Sequence, residues 1–297
     1  MKEKRILIVG AGALGSSFLD SISGEFSKVG IFDGDIITKD NLKTQPFYEG
    51  CNFEIPLSKA EFAANKMGEK DKTSEYVFYN RYFMERDEDI LKEYDYVIDF
   101  TDNLKSRLVI NKAAVNKGIP AVFASINEKE VFLYFYNDGN ACFNCIYRNS
   151  NGKVKEGCDS IISPLSDKTI SFIKDNILSF IKDKIYGGSV RILNISKGKE
   201  MSVNINKDPQ CEECSKHSFK IDDSALIQVC AAGIKFSSNT HIDLKRASEK
   251  IKGSKVAGDY LFSKNDGKSI LISSEGDFLF TGYELKEARE LLSFLKQ

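Results

Sequence analysis

Ile6-Leu7-Ile8-Val9 is a short, unbroken apolar run, the pattern of a strand buried on both faces. A glycine turn follows, then an amphipathic stretch from Leu14 to about Ser23. Val29-Gly30-Ile31-Phe32 predicts a second strand, ending at Asp33. Ser58-Lys59-Ala60-Glu61 has the capping-box form and opens a helix reaching about Lys70. Tyr76–Tyr79 and Tyr96-Val97-Ile98-Asp99-Phe100 predict strands three and four. A helix from Asn103 to Lys117 stops at Gly118 and Pro120, and Ala121–Ser125 and Val131–Tyr136 read as further strands. Strands alternating with helices over short connections predict a Rossmann-like α/β fold, a mainly parallel sheet with helices on both faces. Beyond Gly139 the texture changes. Residues 140–160 read as a polar stretch with three cysteines, and residues 168–186 show a helical period through Ile170, Ile173, Ile177 and Ile181. Two strand-like runs, 190–195 and 201–205, flank Lys197-Gly198-Lys199. From about residue 225 a separate small α+β unit is expected, with a helix near 243–252, three strands near 256–281 and a helix from Glu284 to Leu295.

Composition narrows the function classes. Lys plus Arg is 42 and Asp plus Glu is 43, a formal net charge of -1, which argues against bulk electrostatic binding of nucleic acid or an anionic membrane. No apolar run approaches the ~20 residues that span a bilayer, and the N-terminus shows no signal-peptide pattern. The expected compartment is cytoplasmic, where thiols stay reduced, so seven cysteines point to metal or catalysis before disulfides.

Gly10-Ala11-Gly12-Ala13-Leu14-Gly15 is a G-x-G-x-x-G turn between a strand and a helix, the context in which the motif binds nucleotides. The glycines let backbone approach a phosphate, and the helix N-terminus offers amides and a positive dipole end. Asp33, ending the next strand, is placed to accept hydrogen bonds from ribose hydroxyls. These features leave NAD and ATP undecided. Asp33-Gly34-Asp35 through Asn41-Leu42, and Asp99-Phe100-Thr101-Asp102-Asn103 with Arg107, tilt the choice towards a triphosphate. A carboxylate beside phosphates needs a cation between them, and Asp102 suits Mg²⁺. Asp102 and Asn103 also suit a helix N-cap, and both roles can hold together.

Cys142-Phe143-Asn144-Cys145 and Cys211-Glu212-Glu213-Cys214 are two C-x-x-C pairs. Four thiolates fit a closed tetrahedral structural zinc, clipping the 140s to the 210s with no open position for catalysis. Of the other cysteines, Cys158 lies in a polar loop, Cys230 in an apolar run suited to packing, and nothing marks Cys51 as reactive.

Together these residues resemble the ThiF/MoeB/HesA family, relatives of ubiquitin-activating enzymes. The resemblance covers most of residues 5–214 and runs through Gly10–Gly15, Asp33 to Leu42, Lys59, Thr101-Asp102-Asn103 with Arg107 and Asn111, and the two cysteine pairs. It implies an adenylyltransferase domain over 1–224 and a C-terminal unit over 225–297. It implies MgATP-dependent adenylation of the C-terminal glycine of a small ubiquitin-like sulfur-carrier protein by a homodimer. Gly10, Gly12 and Gly15 would cradle phosphates, and Asp33, with Asp35 nearby, would hold the ribose. Asn41 and Lys59 would contact phosphates; Asp102, beside Asn103, would bind Mg²⁺; and Lys59, Asp102 and Arg107 form the expected catalytic set. Cys158 sits where some members carry a cysteine that joins the carrier.

The chain departs from the family twice. Thr44 stands where the family has a phosphate-binding arginine, with Lys43 the neighbouring candidate to replace it. An N-terminal helix that carries another arginine is not expected, because the first strand begins almost at once. These departures keep open a non-catalytic ATP-binding subunit that pairs with an active family member. An NAD-dependent oxidoreductase ranks last, since it leaves Asp102 and the cysteine pairs unexplained.

Overall fold

The computed structural model describes residues 1–297 apart from 54–55, 128, 150–162, 218–225, 231–232, 239 and 297. Its first sheet has eight strands. In chain order they are β1 (Arg5–Val9), β2 (Lys28–Phe32), β3 (Glu75–Tyr79), β4 (Tyr96–Asp99), β5 (Ala121–Ile126), β6 (Glu130–Tyr136), β7 (Ser189–Asn194) and β8 (Lys199–Asn204). In space they run β3-β2-β1-β4-β5-β6-β7-β8. The first five are parallel, and β6 to β8 continue the sheet antiparallel. The mainly parallel α/β sheet expected from the apolar runs is therefore present.

Side-chain alternation along β1 divides the core. Ile6 and Ile8 join α1 (Ala13–Ser21), α2 (Lys59–Lys70) and α5 (Asp167–Ile181) on one face. Leu7 and Val9 join α3 (Leu104–Lys117) and α4 (Phe143–Asn149) on the other. Caps set the helix starts: Ser58 accepts from the Glu61 amide, and Asn103 from the Ser106 amide. Gly118, in the left-handed conformation at φ 64°, ends α3.

Two expectations change. The first cysteine pair lies at the start of helix α4 and is buried although its stretch of chain reads as polar, because Phe143 packs against Phe123 and Tyr134. The helix through Ile181 ends there, short of 186.

The second sheet is antiparallel, in the order β11-β12-β13-β14-β10-β9. It comprises β9 (Leu226–Cys230), β10 (Gly233–Ser237), β11 (Lys255–Ala257), β12 (Tyr260–Asn265), β13 (Lys268–Ser273) and β14 (Asp277–Thr281). Helices α6 (Leu244–Lys250) and α7 (Leu285–Lys296) complete its core through Leu244, Ala247, Ala288 and Leu292. The span 255–281 thus holds four strands, one more than the apolar runs suggested: the three residues of β11 are mostly exposed and leave little hydrophobic signature.

Candidate functional site

In the first sheet β1 lies between β2 and β4, so the order reverses there, and in sheets of this kind ligands bind outside the carboxyl ends of the strands at such a point. The glycine turn leaves β1 at this point, and the 99–103 segment leaves β4. They touch. Gly10 has φ +96°, and a Cβ on it would lie 2.9 Å from the Phe100 carbonyl carbon. A Cβ on Gly15 would lie 1.9 Å from the Gly10 carbonyl oxygen, so this glycine is required by packing. Gly12 differs: nothing lies within 4 Å of its missing Cβ. It is the N-cap of α1 and provides no side-chain cap, so the positive end of that helix dipole lies beside the turn.

Asp33 is buried beneath the turn. Its carboxylate accepts from the Ala11 amide at 2.7 Å and the Asp35 amide at 2.7 Å. Burial, then the charge of Asp35, pushes its pKa up, against Lys59 and the two amides. The Tyr48 hydroxyl donates to the Ala11 carbonyl at 2.6 Å and fixes the turn from below.

Asp35 collects three donors. Lys59 Nζ is 3.4 Å from one carboxylate oxygen, and Lys235 Nζ, from β10 of the second sheet, is 2.7 Å from the other. The Tyr82 hydroxyl donates to the same oxygen as Lys235, at 2.5 Å. Burial alone would raise this carboxyl, but Lys235 and Lys59 outweigh it and hold it well below the usual carboxylate range. Lys59 is 6% exposed, so its ammonium is confined to the cluster. Tyr48, Tyr82 and Lys235 were missed from sequence. Each meets its partner across a long stretch of chain, and no local spacing signals it.

On the β4 side, Asp99 is fully buried, and one carboxylate oxygen accepts from the Thr101 amide at 2.7 Å and hydroxyl at 2.6 Å. Arg107 donates to the carbonyls of Thr101 and Ala124 at 2.6 and 2.7 Å, and lies 3.9 Å from Asp99. Its guanidinium braces the 99–103 segment from inside and is 9% exposed, which makes it a positioning group here. Asn103 caps α3. Asp102 is exposed beyond the carboxyl end of β4.

Asn41 accepts from the Thr38 amide at 2.9 Å and closes a short 3-10 turn over 39–43. Lys43, at the end of that turn, is largely exposed and pairs with Asp40 at 2.8 Å. It is not gathered into the Asp35 cluster, because one position along the turn from Leu42 faces it outward.

The two C-x-x-C pairs meet. All four Sγ atoms lie within 4.8 Å of one another, with Cys142–Cys211 at 3.7 Å and Cys145–Cys214 at 3.5 Å. A tetrahedron with metal–sulfur bonds of about 2.3 Å has sulfurs about 3.8 Å apart, so the cluster is compatible with zinc. Phe143 N–H donates to Asn111 Oδ1 at 2.8 Å, tying α4 to α3 beside the thiols. Cys51 is partly buried against the main core, and burial raises its thiol pKa. Cys158 and the side chain of Cys230 lie outside the described residues. His217 and His241 are exposed. Among the described residues no helix is long and apolar enough to cross a membrane.

Known proteins extend this picture. Solved structures of E. coli MccB share the fold at a TM-score of 0.57 and 15% identity, over 74% of this chain and 67% of that one. A structure of PaaA does so at 0.56 and 17%, over 70% and 65%. An adenylyltransferase and sulfurtransferase UBA4 of Kluyveromyces lactis is 33% identical over 153 residues, half of this chain and 34% of that protein. The adenylyltransferase and sulfurtransferase MOCS3 of Aedes aegypti is 30% identical over 152 residues, again half of this chain and 34% of the relative. The matched region thus spans about a third of the length of these curated relatives. The ThiF family model matches residues 1–216, the glycine turn, the Asp35 cluster's first-sheet members and all four clustered cysteines included, and the chain belongs to the ThiF family.

Proposed function

We propose that this protein is an ATP-dependent adenylyltransferase acting on the C-terminal glycine of a small ubiquitin-like sulfur-carrier protein. The observation that carries the reading is the convergence at one sheet edge of an open Gly12 turn, Asp33, Lys59 and Asp102. The turn and the α1 amides suit phosphates, Asp33 suits the ribose, and Lys59 suits phosphate charge. The relatives named as adenylyltransferase and sulfurtransferase support the same chemistry.

The nucleophile is the carrier's terminal carboxylate, already ionised at neutral pH, so no general base is needed. One of its oxygens attacks the α-phosphorus of ATP in line. The bond from the α-phosphorus to the bridging oxygen breaks, and pyrophosphate leaves with that electron pair. The protein's part is to align the two substrates and to offset charge on the transferring group. Asp102, an exposed carboxylate at that sheet edge, is the oxygen donor suited to Mg²⁺, which would neutralise phosphate charge when bound. Cys142, Cys145, Cys211 and Cys214 would hold zinc as a closed structural clip. A homodimer and a covalent role for Cys158 complete the reading.

ATP–pyrophosphate exchange, run with small Gly-Gly-ending proteins in turn, tests it: one of them should trigger exchange. Thr44 supports a second reading, a subunit that binds ATP without turnover. The side chain at the end of the 3-10 turn is a neutral hydroxyl that donates to the Asn41 carbonyl at 3.5 Å. ATP binding without exchange from a zinc-loaded dimer would favour that reading.

A further inference from the structure

The second sheet reaches into the nucleotide site. Its Lys235 is 8% exposed and 2.7 Å from Asp35, whose other oxygen faces Lys59 at 3.4 Å. The domain that carries it is held in register by separate contacts. The Tyr82 amide donates to Asp277 at 3.1 Å, and Arg81 pairs with Glu275 at 3.4 Å. Arg86 donates to the carbonyls of Ser238 at 2.9 Å and Glu275 at 3.2 Å. Lys235 is therefore placed by the seam as a whole. The result is two ammoniums on one carboxylate, at the carboxyl edge of β2, two residues past Asp33. A phosphate group has the same kind of oxygen acceptors as that carboxylate, with more of them and more charge, so it competes for both lysines.

We infer that Lys235 is a nucleotide-binding residue, delivered by the C-terminal domain, which grips the terminal phosphates of ATP together with Lys59. This rests on the proposal that the site takes ATP. It gives the C-terminal domain a part in that site: the domain completes it, and the chain supplies its own second cation.

An acyl-phosphate derivative of ATP, which acylates lysines beside the terminal phosphate, tests this on the unaltered protein. Mass spectrometry should find Lys59 and Lys235 modified and both protected by excess ATP. Titration of Lys235→Met and Lys235→Arg with ATP and with adenosine is the second arm. Lys235→Met should weaken ATP at least tenfold and leave adenosine unchanged, and Lys235→Arg should recover most of the loss. Labelling of Lys59 without Lys235 would overturn the inference. So would equal losses for ATP and adenosine, which mark a purely structural lysine. If the unaltered protein binds neither ligand, the nucleotide reading itself falls, and this inference falls with it.

Discussion

Gly12 and Gly15 share a motif but are glycines for different reasons. A Cβ at Gly15 would collide with the Gly10 carbonyl, whereas one at Gly12 would enter the space where a phosphate is expected. Gly15→Ala should therefore lower Tm by several degrees, since a backbone clash forces α1 from β1. Gly12→Ala should leave Tm within about a degree or two, the usual range for a change that meets nothing, and weaken ATP binding tenfold or more. Thermal melts with ATP titrations check both. Asp102→Ala should reduce pyrophosphate exchange by about 10²-fold or more with the melt unchanged, because the residue is exposed and carries no core. At this scale the sequence was most informative where the constraint is local. The glycine turn, Asp33 and the cysteine pairs follow from spacing. Lys235 does not, because its partner Asp35 is 200 residues away and on another sheet. Lys43 sits three residues from Asp40 and pairs with it on the exposed side of the 3-10 turn, a direction that spacing from Leu42 does not specify.

Among the elements, the strands and long helices of the first sheet were legible because buried runs and caps mark them. The short 3-10 turns over 39–43, 46–48 and 85–93 were not, since three to nine residues with few buried positions carry little periodicity. Helix α4 was hidden for a related reason. Its seven residues begin between two cysteines, and its burial depends on Phe123 and Tyr134 from distant strands. The thiol cluster ties α4 to the 211–214 turn. The purified protein should hold one zinc per chain by elemental analysis. Cys145→Ser should lose most of it and lower Tm, since removing a ligand from a closed site forfeits much of a binding free energy on the order of 10 kcal/mol. Pyrophosphate exchange should persist in part below the new Tm, because the cluster has no open coordination position.

The molecule as a whole is two sheets joined at a polar seam, and the seam holds a buried titratable carboxyl. Asp277 lies there, buried. Burial pushes its carboxyl up to about 7 from an ordinary 3.8, despite hydrogen bonds from Ser237 and the Tyr82 amide. Between those values the unfolded chain has released this proton and the folded chain retains it. The contribution of Asp277 to stability thus falls as pH rises through the window and levels off above about 7. An Asp277→Asn chain keeps an acceptor for Tyr82 and has no proton to lose. It should melt above the unaltered protein at pH 8, with the gap closing as pH falls towards 4, and melts across that range check the sign. The change of texture after Gly139 does not mark the boundary between the sheets, since β7 and β8 still belong to the first, and the seam was not legible, since it is built wholly from long-range pairs. What the assembled site should do is join a carboxylate oxygen to the α-phosphorus, and one isotope measurement reads that bond directly. A carrier protein with ¹⁸O in its C-terminal glycine carboxylate is incubated with protein, MgATP and hydroxylamine, and the released AMP is weighed. Attack by the carboxylate predicts AMP bearing one ¹⁸O; unlabelled AMP, or ADP in its place, would contradict it.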